Sequence, residues 1–495
     1  MKLRRRHFEW IGIVFIALAA LLYSQPEVSI SGNESTRFAV IQAVGEQHVF
    51  HIEKTNFRTV DRVIRDNHVY SDKPLPIGWG LGMVHRVLHG VTGWNFFDNY
   101  NLLIYLFNLG FGGLINILLF VWSFRQFCRV RRGSVPLKFL LALGMCIGTW
   151  LFSYSVTVNN HTPAALAVLG LYVVLEKYRR RPSRRLAAAA GLTAGLVAAA
   201  DLPVGAVFAV AAVAALWLLA PRRERISAET ACIGCGLAVG VWLLWLNYTA
   251  YGTVMPLYVA GSEGTFRVVN PGWSYRMSYL FECLLGCRGL FSYQPFLLFA
   301  LPGAYFLWRG GRFSHVDKVF LVAAAAVMLF YLFFTVEFGG WAYGFRYLMP
   351  VIPILWLIAG RWLLEARFRL LKCAVAVPLV AAGIVAALAG AYSPFCVAYE
   401  GVNSPPGHFT RNVRSTFLGN VFAWSFATDE DSALSRALLR HYGPADSMNF
   451  LHNTYFNLKR PDLLRKVAER TEQLLREERA DQHHVERGSA EDRKQ

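Results

Sequence analysis

Hydrophobic and polar positions in this chain are segregated into whole segments. Apolar runs cover 8–23, 101–124, 136–157, 162–175, 186–200, 203–220, 230–246, 291–307, 319–335, 347–363 and 371–391. Most come near the roughly 17 to 25 residues a helix needs to cross a bilayer. The pattern predicts an all-α polytopic membrane protein with about eleven transmembrane helices. Between two of the runs, Asp201-Leu202-Pro203 predicts either a tight turn or a kink within a broken helix.

Charge gives the runs a direction. Lys2, Arg4, Arg5 and Arg6 precede the first run, and no small-x-small cleavage pattern stands before Gln25. An uncleaved signal anchor with a cytoplasmic N-terminus is therefore expected. Every second connection is then basic, carrying Arg125, Arg129, Arg131 and Arg132; Lys177, Arg179, Arg180, Arg181, Arg184 and Arg185; Arg222, Arg223 and Arg225; Arg309, Arg312 and Lys318; and Arg361, Arg367, Arg369 and Lys372. The positive-inside rule assigns these to the cytoplasm.

The alternate connections are polar and aromatic. They comprise a long first extracytoplasmic loop over 25–100, the VNNHTP turn over 158–163, the DLP turn, a second long loop over 247–290, and EFGGWAYGFR over 337–346. Two units are expected, a transmembrane domain over 1–392 and an extracytoplasmic C-terminal tail over 393–495. In the tail, Leu463, Leu464, Val467, Leu474 and Leu475 fall at near-helical spacing. That spacing predicts a charged amphipathic helix docked on the domain or on the membrane surface.

Composition agrees with a bilayer as solvent, with 55% hydrophobic residues, 17% charged residues and a mean hydropathy of +0.35. The net charge of +18 sits in the short inner connections, so it is a topology signal and excludes nucleic acid as the partner. Eight cysteines are scattered, several of them within apolar runs, which excludes both a disulfide framework and a zinc set built from cysteine. Cys232 and Cys235 lie in an apolar run without a nearby His and are expected to pack.

Residues able to carry chemistry lie on the outer connections. Glu34 and Arg37 are three apart and share a helix face, although spacing alone favours a surface ion pair worth little. Asp72 and Lys73 stand before Pro74 and Pro76, where a lysine can neutralise a lipid phosphate or simply snorkel to headgroups. Asn160 and His161 follow Asn159 at the end of a run. RGLFSYQP supplies Arg288 and Tyr293, and GGWAYGFRYLMPVIP supplies Trp341, Tyr343 and Arg346. Arginine beside aromatics suits an anionic phosphate with a stacked sugar or lipid, and aromatic belts also place such residues at any bilayer interface.

Taken in order, Glu34 and Arg37 after the first span, SDKP, the NNH turn, the DLP turn, RGLFSYQP and GGWAYGFRYLMPVIP resemble the multi-spanning GT-C fold glycosyltransferases, of the protein O-mannosyltransferase and aminoarabinose transferase type. The resemblance covers roughly 1–363. It implies an enzyme of the bacterial inner membrane that moves a sugar from a polyprenyl-phosphate-linked donor to an acceptor hydroxyl on the extracytoplasmic side. Its partners would be that donor, membrane lipids and an acceptor that is a lipid, a glycan or a protein. By the same resemblance Glu34 acts as general base, with Asp72 the second catalytic candidate; Arg37, Lys73, Arg288 and Arg346 hold the donor phosphate; and Asn160, His161, Tyr293, Trp341 and Tyr343 contact sugar or lipid. Gly32-Asn33-Glu34 stands where such enzymes carry an acidic pair. No cofactor is assured and no metal ligand is assigned; a divalent cation is possible, and Glu34, Asp72 and His161 are the residues that could converge on it. The competing function is a lipid-linked saccharide transporter or a non-catalytic scaffold, of which the transporter is disfavoured by the lack of an internal repeat.

Overall fold

The computed structural model describes residues 2–29, 32–257, 272–335, 339–365, 369–396 and 415–492. Much of the expected second long loop, over 258–271, and the start of the tail, over 397–414, lie outside the described residues. Among those described, seven helices are long and apolar enough to cross a membrane: Arg5–Tyr23, Tyr100–Phe127, Leu202–Leu219, Arg225–Tyr251, His315–Phe334, Arg346–Glu365 and Lys372–Tyr392. Val135–Ile147 is a shorter apolar helix of the same kind. Leu22, Val210, Trp217, Val241, Val322 and Val377 point outward and are more than half exposed. Only a hydrocarbon surrounding makes such a surface stable over so many helices. The chain is an integral membrane protein of all-α class.

Several expected runs are broken where the sequence removes a backbone donor or a side chain. The run over 136–157 becomes Val135–Ile147 and Trp150–Ser155, with Thr149 capping the second piece through the Leu151 N–H at 3.2 Å. The run over 291–307 becomes Leu290–Tyr293, a 3₁₀ turn Pro295–Phe299 and Ala300–Arg309. Pro295 has no N–H to continue a helix, and Gln294 before it leaves the helical region at φ −135° and ψ 62°. At Asp201 the structure decides for the tight turn. Arg184–Ala200 and Leu202–Leu219 fold back on each other so closely that a Cβ on Gly205 would lie 2.1 Å from Ala198 Cα.

The two ends of the bundle differ as the charge pattern predicts. At one end the basic connections are tied together: Arg125 to Glu9 at 2.6 Å, Arg312 to Glu365 at 3.1 Å and Arg361 to Asp317 at 2.7 Å. At the other end the polar connections meet, with Gln25 N–H donating to Val156 O at 3.0 Å.

The first outer loop is a small folded unit. It holds a wholly buried helix, Gly32–Gln42, a two-stranded antiparallel hairpin of β1 (Arg62–Arg65) and β2 (His68–Ser71), and a helix Leu75–Thr92. The hairpin departs from the purely helical expectation. Asp66 and Asn67 both take positive φ, 50° and 63°, which is the two-residue turn whose twist matches paired strands. RVIRDNHVYS carries this signal in the sequence.

The tail is likewise more than one docked helix. Thr416–Thr428, Ala433–Tyr442, Pro444–Asn457 and Pro461–Asp492 bury Phe422, Phe426, Leu451, Tyr455, Leu463 and Val467 in a core of their own. Leu475, placed by its spacing on the same face, is 47% exposed.

Close packing of Arg184–Ala200 on Arg225–Tyr251 rests on Gly191 and Gly195, four residues apart on one face. A Cβ at Gly191 would lie 1.8 Å from Cys232 O, and one at Gly195 would lie 2.7 Å from Val239 Cβ. Gly191→Leu is expected to cost about 1–3 kcal/mol or more through forced separation of the helices. Thermal unfolding in detergent should show a lower midpoint, whereas Gly234→Leu, with nothing within 4 Å of its Cβ position, should leave it unchanged.

Candidate active site

The site is organised by Arg37 on the helix Gly32–Gln42. Its side chain donates through Nη1 to Asn33 O and Oδ1, and through Nη2 to Asn160 Oδ1 at 2.7 Å. Asn160 in turn donates to Ala200 O at 3.2 Å. Asn159 Oδ1 accepts from the His161 and Thr162 N–H groups at 3.0 and 2.9 Å, capping the helix His161–Arg180. His161 Nδ1 lies 3.1 Å from Asp201 Oδ2, and Asp201 Oδ1 accepts the Tyr331 hydroxyl at 2.8 Å. The NNH and DLP turns are thereby joined to the first outer loop.

Glu34, one turn before Arg37, is 3% exposed. One carboxylate oxygen accepts from the Ser29 N–H and hydroxyl at 3.1 and 3.2 Å, and the other accepts from the Thr157 hydroxyl. Burial pushes its pKa up, and the Thr157 and Ser29 bonds act against that rise. The bonds fasten the outer loop to the end of Trp150–Ser155.

Lys73 lies between two carboxylates, 2.8 Å from Asp61 and 3.0 Å from Asp72. Asp61 precedes β1 and Asp72 follows β2, so the Arg62↔Ser71 pairing sets these two acids side by side at the open end of the hairpin. Burial raises the Asp72 pKa, with the Lys73 charge acting in the other direction, and its Oδ1 is shielded from solvent without a hydrogen-bond partner. Asp61 is a site residue that the sequence reading missed; the RDN turn was the available signal, because it fixes which residues meet at the hairpin base.

Arg346 is 6% exposed and stands over the rings of Tyr347 and Phe395 at 5.8 and 5.6 Å. Among the described residues it has no ion-pair or hydrogen-bond partner, and its Nε and that of Arg37 are both buried and unbonded. Burial brings the Arg37 pKa down to about 10, and the Arg346 charge contributes to the fall, while Asp61, Asp72 and Glu34 oppose it. Arg37 bonds Asn160, and Tyr347, next to Arg346, packs on His161 at 5.7 Å, so the two cations lie about the same turn. Gly339, at φ 89°, gives Arg346 its room, since a Cβ there would come within 3.3 Å of Arg346 Cγ.

The remaining predicted residues divide by exposure. Arg288 is buried and donates through Nη1 to Gly340 O at 3.3 Å. Tyr293 and Tyr343 are buried against each other at 5.1 Å, and their hydroxyls are engaged, Tyr293 with Cys287 O at 2.6 Å and Tyr343 with Ala386 O at 2.5 Å. Tyr293 also meets the Thr416 hydroxyl at 2.9 Å, which brings the tail onto the site. Trp341 is 44% exposed. Glu34, Asp72 and His161 do not bring three ligand atoms together among the described residues.

No protein-family model matches the sequence, and no curated protein sequence does. Solved structures similar to this one include two membrane transferases. ArnT from Cupriavidus metallidurans, bound to undecaprenyl phosphate, aligns over 92% of this chain and 77% of its own at 13% identity, with a TM-score of 0.49. Arabinosyltransferase EmbB from Mycobacterium smegmatis aligns over 91% of this chain and 41% of its own at 12% identity, with a TM-score of 0.47. A likeness of this kind concerns the course of the chain, and chemistry has to be read from the side chains.

Removing one Glu34 partner tests the clamp. Thr157→Val should cost about 1–3 kcal/mol where Glu34 is ionised, because a buried carboxylate loses a donor. The Glu34 pKa is already raised in the folded state and rises further in the variant, so the penalty is full above the folded pKa and shrinks as pH falls through it. Unfolding midpoints of both proteins, followed as pH falls from neutral through the raised Glu34 pKa, should converge; a constant gap would refute the assignment.

Proposed function

We propose that this chain is a glycosyltransferase that moves a sugar from a polyprenyl-phosphate-linked donor to an acceptor hydroxyl on the extracytoplasmic side. The observation that carries it is the pairing of two buried guanidinium groups, Arg37 and Arg346, each with an unbonded Nε, beside the Asp61–Lys73–Asp72 cluster. Two like charges withdrawn from water are costly unless an anion joins them. A phosphate, with its several acceptor oxygens, meets that need.

In the proposed reaction the acceptor oxygen attacks the anomeric carbon and its proton passes to a carboxylate. The bond between that carbon and the phosphate oxygen breaks, and the lipid phosphate leaves with the electron pair, facing Arg37 and Arg346. Of the two candidate bases, Asp72 is favoured. Both oxygens of Glu34 are occupied by Ser29 and Thr157, whereas Asp72 Oδ1 has no partner. Glu34 is then a positioning residue that holds the outer loop. Lys73 is engaged by the two aspartates and offsets one of their charges, and the phosphate is left to the arginines. Trp341 offers a stacking surface for sugar or lipid.

Three variants test this, with a polyprenyl-phosphate sugar panel, donor binding and single-turnover rates as readouts. Asp72→Asn should leave donor affinity largely intact and slow transfer by about 100-fold or more. Arg346→Gln should weaken donor binding by about 10-fold or more, as a charge-assisted contact is lost. In the wild type, the acid limb of the rate should lie above the ordinary aspartate range, since ionised Asp72 is required and burial raises its pKa. Full activity of Asp72→Asn combined with an inactive Glu34→Gln would move the base to Glu34, and no transfer from any donor would refute the reading.

A further inference from the structure

At the turn end of the hairpin, away from the Asp61 and Asp72 pair, three side chains converge on one point. His68 Nδ1 is 2.7 Å and His51 Nδ1 is 2.9 Å from the same oxygen, Glu53 Oε1. The two imidazoles stack with centroids 4.4 Å apart at 22°. Glu53 Oε2 is held by the Val69 N–H at 3.2 Å, and the Ile52 N–H donates to Val69 O at 2.7 Å, so the backbone fixes both ligand-bearing segments. Hydrogen bonding to Glu53 accounts for His68 but leaves His51 unexplained. His51 Nδ1 is cut off from solvent, faces a carboxylate, and makes no hydrogen bond.

We infer that His51, Glu53 and His68 bind a divalent transition-metal ion, with zinc the best match. Two imidazole nitrogens and one carboxylate oxygen, all within 4.8 Å of one another, are the donor set and spacing such an ion takes. With bonds of about 2.0–2.2 Å, small side-chain rotations admit the ion, and a water completes a tetrahedron on the solvent side. In the bound state the imidazole nitrogens present lone pairs, and the orphaned His51 Nδ1 gains a partner. The ion is structural. It fastens residues 51–53 to β2 and so stiffens the hairpin whose open end carries Asp61 and Asp72. This binding does not depend on the transfer reaction.

The test uses the full-length protein in detergent, stripped with EDTA and dialysed, then titrated with zinc by calorimetry and with cobalt by visible absorption. Wild type is expected to bind one ion tightly and to give the intense cobalt bands of a four-coordinate site. His51→Ala and His68→Ala should each lower zinc affinity by about 100-fold or more, as a ligand is lost from three. The double variant His51→Cys, His68→Cys should recover tight binding, because thiolates replace imidazoles as ligands. Zinc should also slow tryptic cleavage after Arg65 in wild type but not in the alanine variants. Equal zinc affinity in wild type and the alanine variants, or an octahedral cobalt spectrum unchanged by them, would overturn the assignment.

Discussion

Arg37 is the charge on which the arrangement of the outer connections depends. At 3% exposure it has little water to solvate it, so the protein must supply dipoles to its Nη groups. Those dipoles come from separate parts of the chain, Asn33 within its own helix and Asn160 at the start of the helix His161–Arg180. Asn160 extends the link to Ala200, and His161 extends it through Asp201 to Tyr331. One buried cation thereby sets the register of the first outer loop against several membrane helices. The geometry available to a substrate follows from that register.

Breaks in the bundle serve the same end. In a bilayer a helix can stop only where another group takes up its free amides and carbonyls. Thr149, Asn159 and Asp201 each do this with a side-chain oxygen at a helix start. Pro295 and Pro350 impose 3₁₀ turns directly before Ala300–Arg309 and Ile352–Glu365. The irregular backbone near Arg346 also admits glycines where a Cβ would strike Arg346 or Trp150, at Gly339 and Gly344. Loss of helical regularity is confined to the end where polar side chains can compensate for it.

The hairpin adds a different kind of constraint. Its pairing places Asp61 opposite Asp72, and Lys73 between them removes most of their mutual repulsion. A lysine so engaged is poorly available to a phosphate, which is why the proposed donor contact is assigned to the two arginines. The tail reaches the same region through Thr416, whose hydroxyl meets Tyr293 and accepts the Gly344 N–H at 3.1 Å. The C-terminal helices therefore belong to the architecture of the site.

Much of this was legible in the sequence, because hydropathy over a span and the placement of Lys and Arg are properties of short segments. They determine the all-α membrane class and the basic connections gathered at one end, and the polar connections found opposite them follow. The order of motifs offered Glu34, Arg37, Asp72, Lys73 and Arg346 as candidates, and the structure places Glu34 and Arg37 on one buried helix and Lys73 against Asp72. Local pattern also contained the RDN turn, which an expectation of helices passed over. Which carboxylate keeps a free oxygen could not be read there. Thr157 reaches Glu34 across 123 residues and Asp61 reaches Lys73 only through strand pairing, and these contacts decide burial, hydrogen bonding and pKa. The same holds for Tyr293 and Tyr343, which motif and spacing offered as ligand contacts and packing turned inward. Segment chemistry determined where the chain lies; long-range contacts alone determined which of its polar atoms are left free to act, since a donor or acceptor is free only when no distant residue has claimed it.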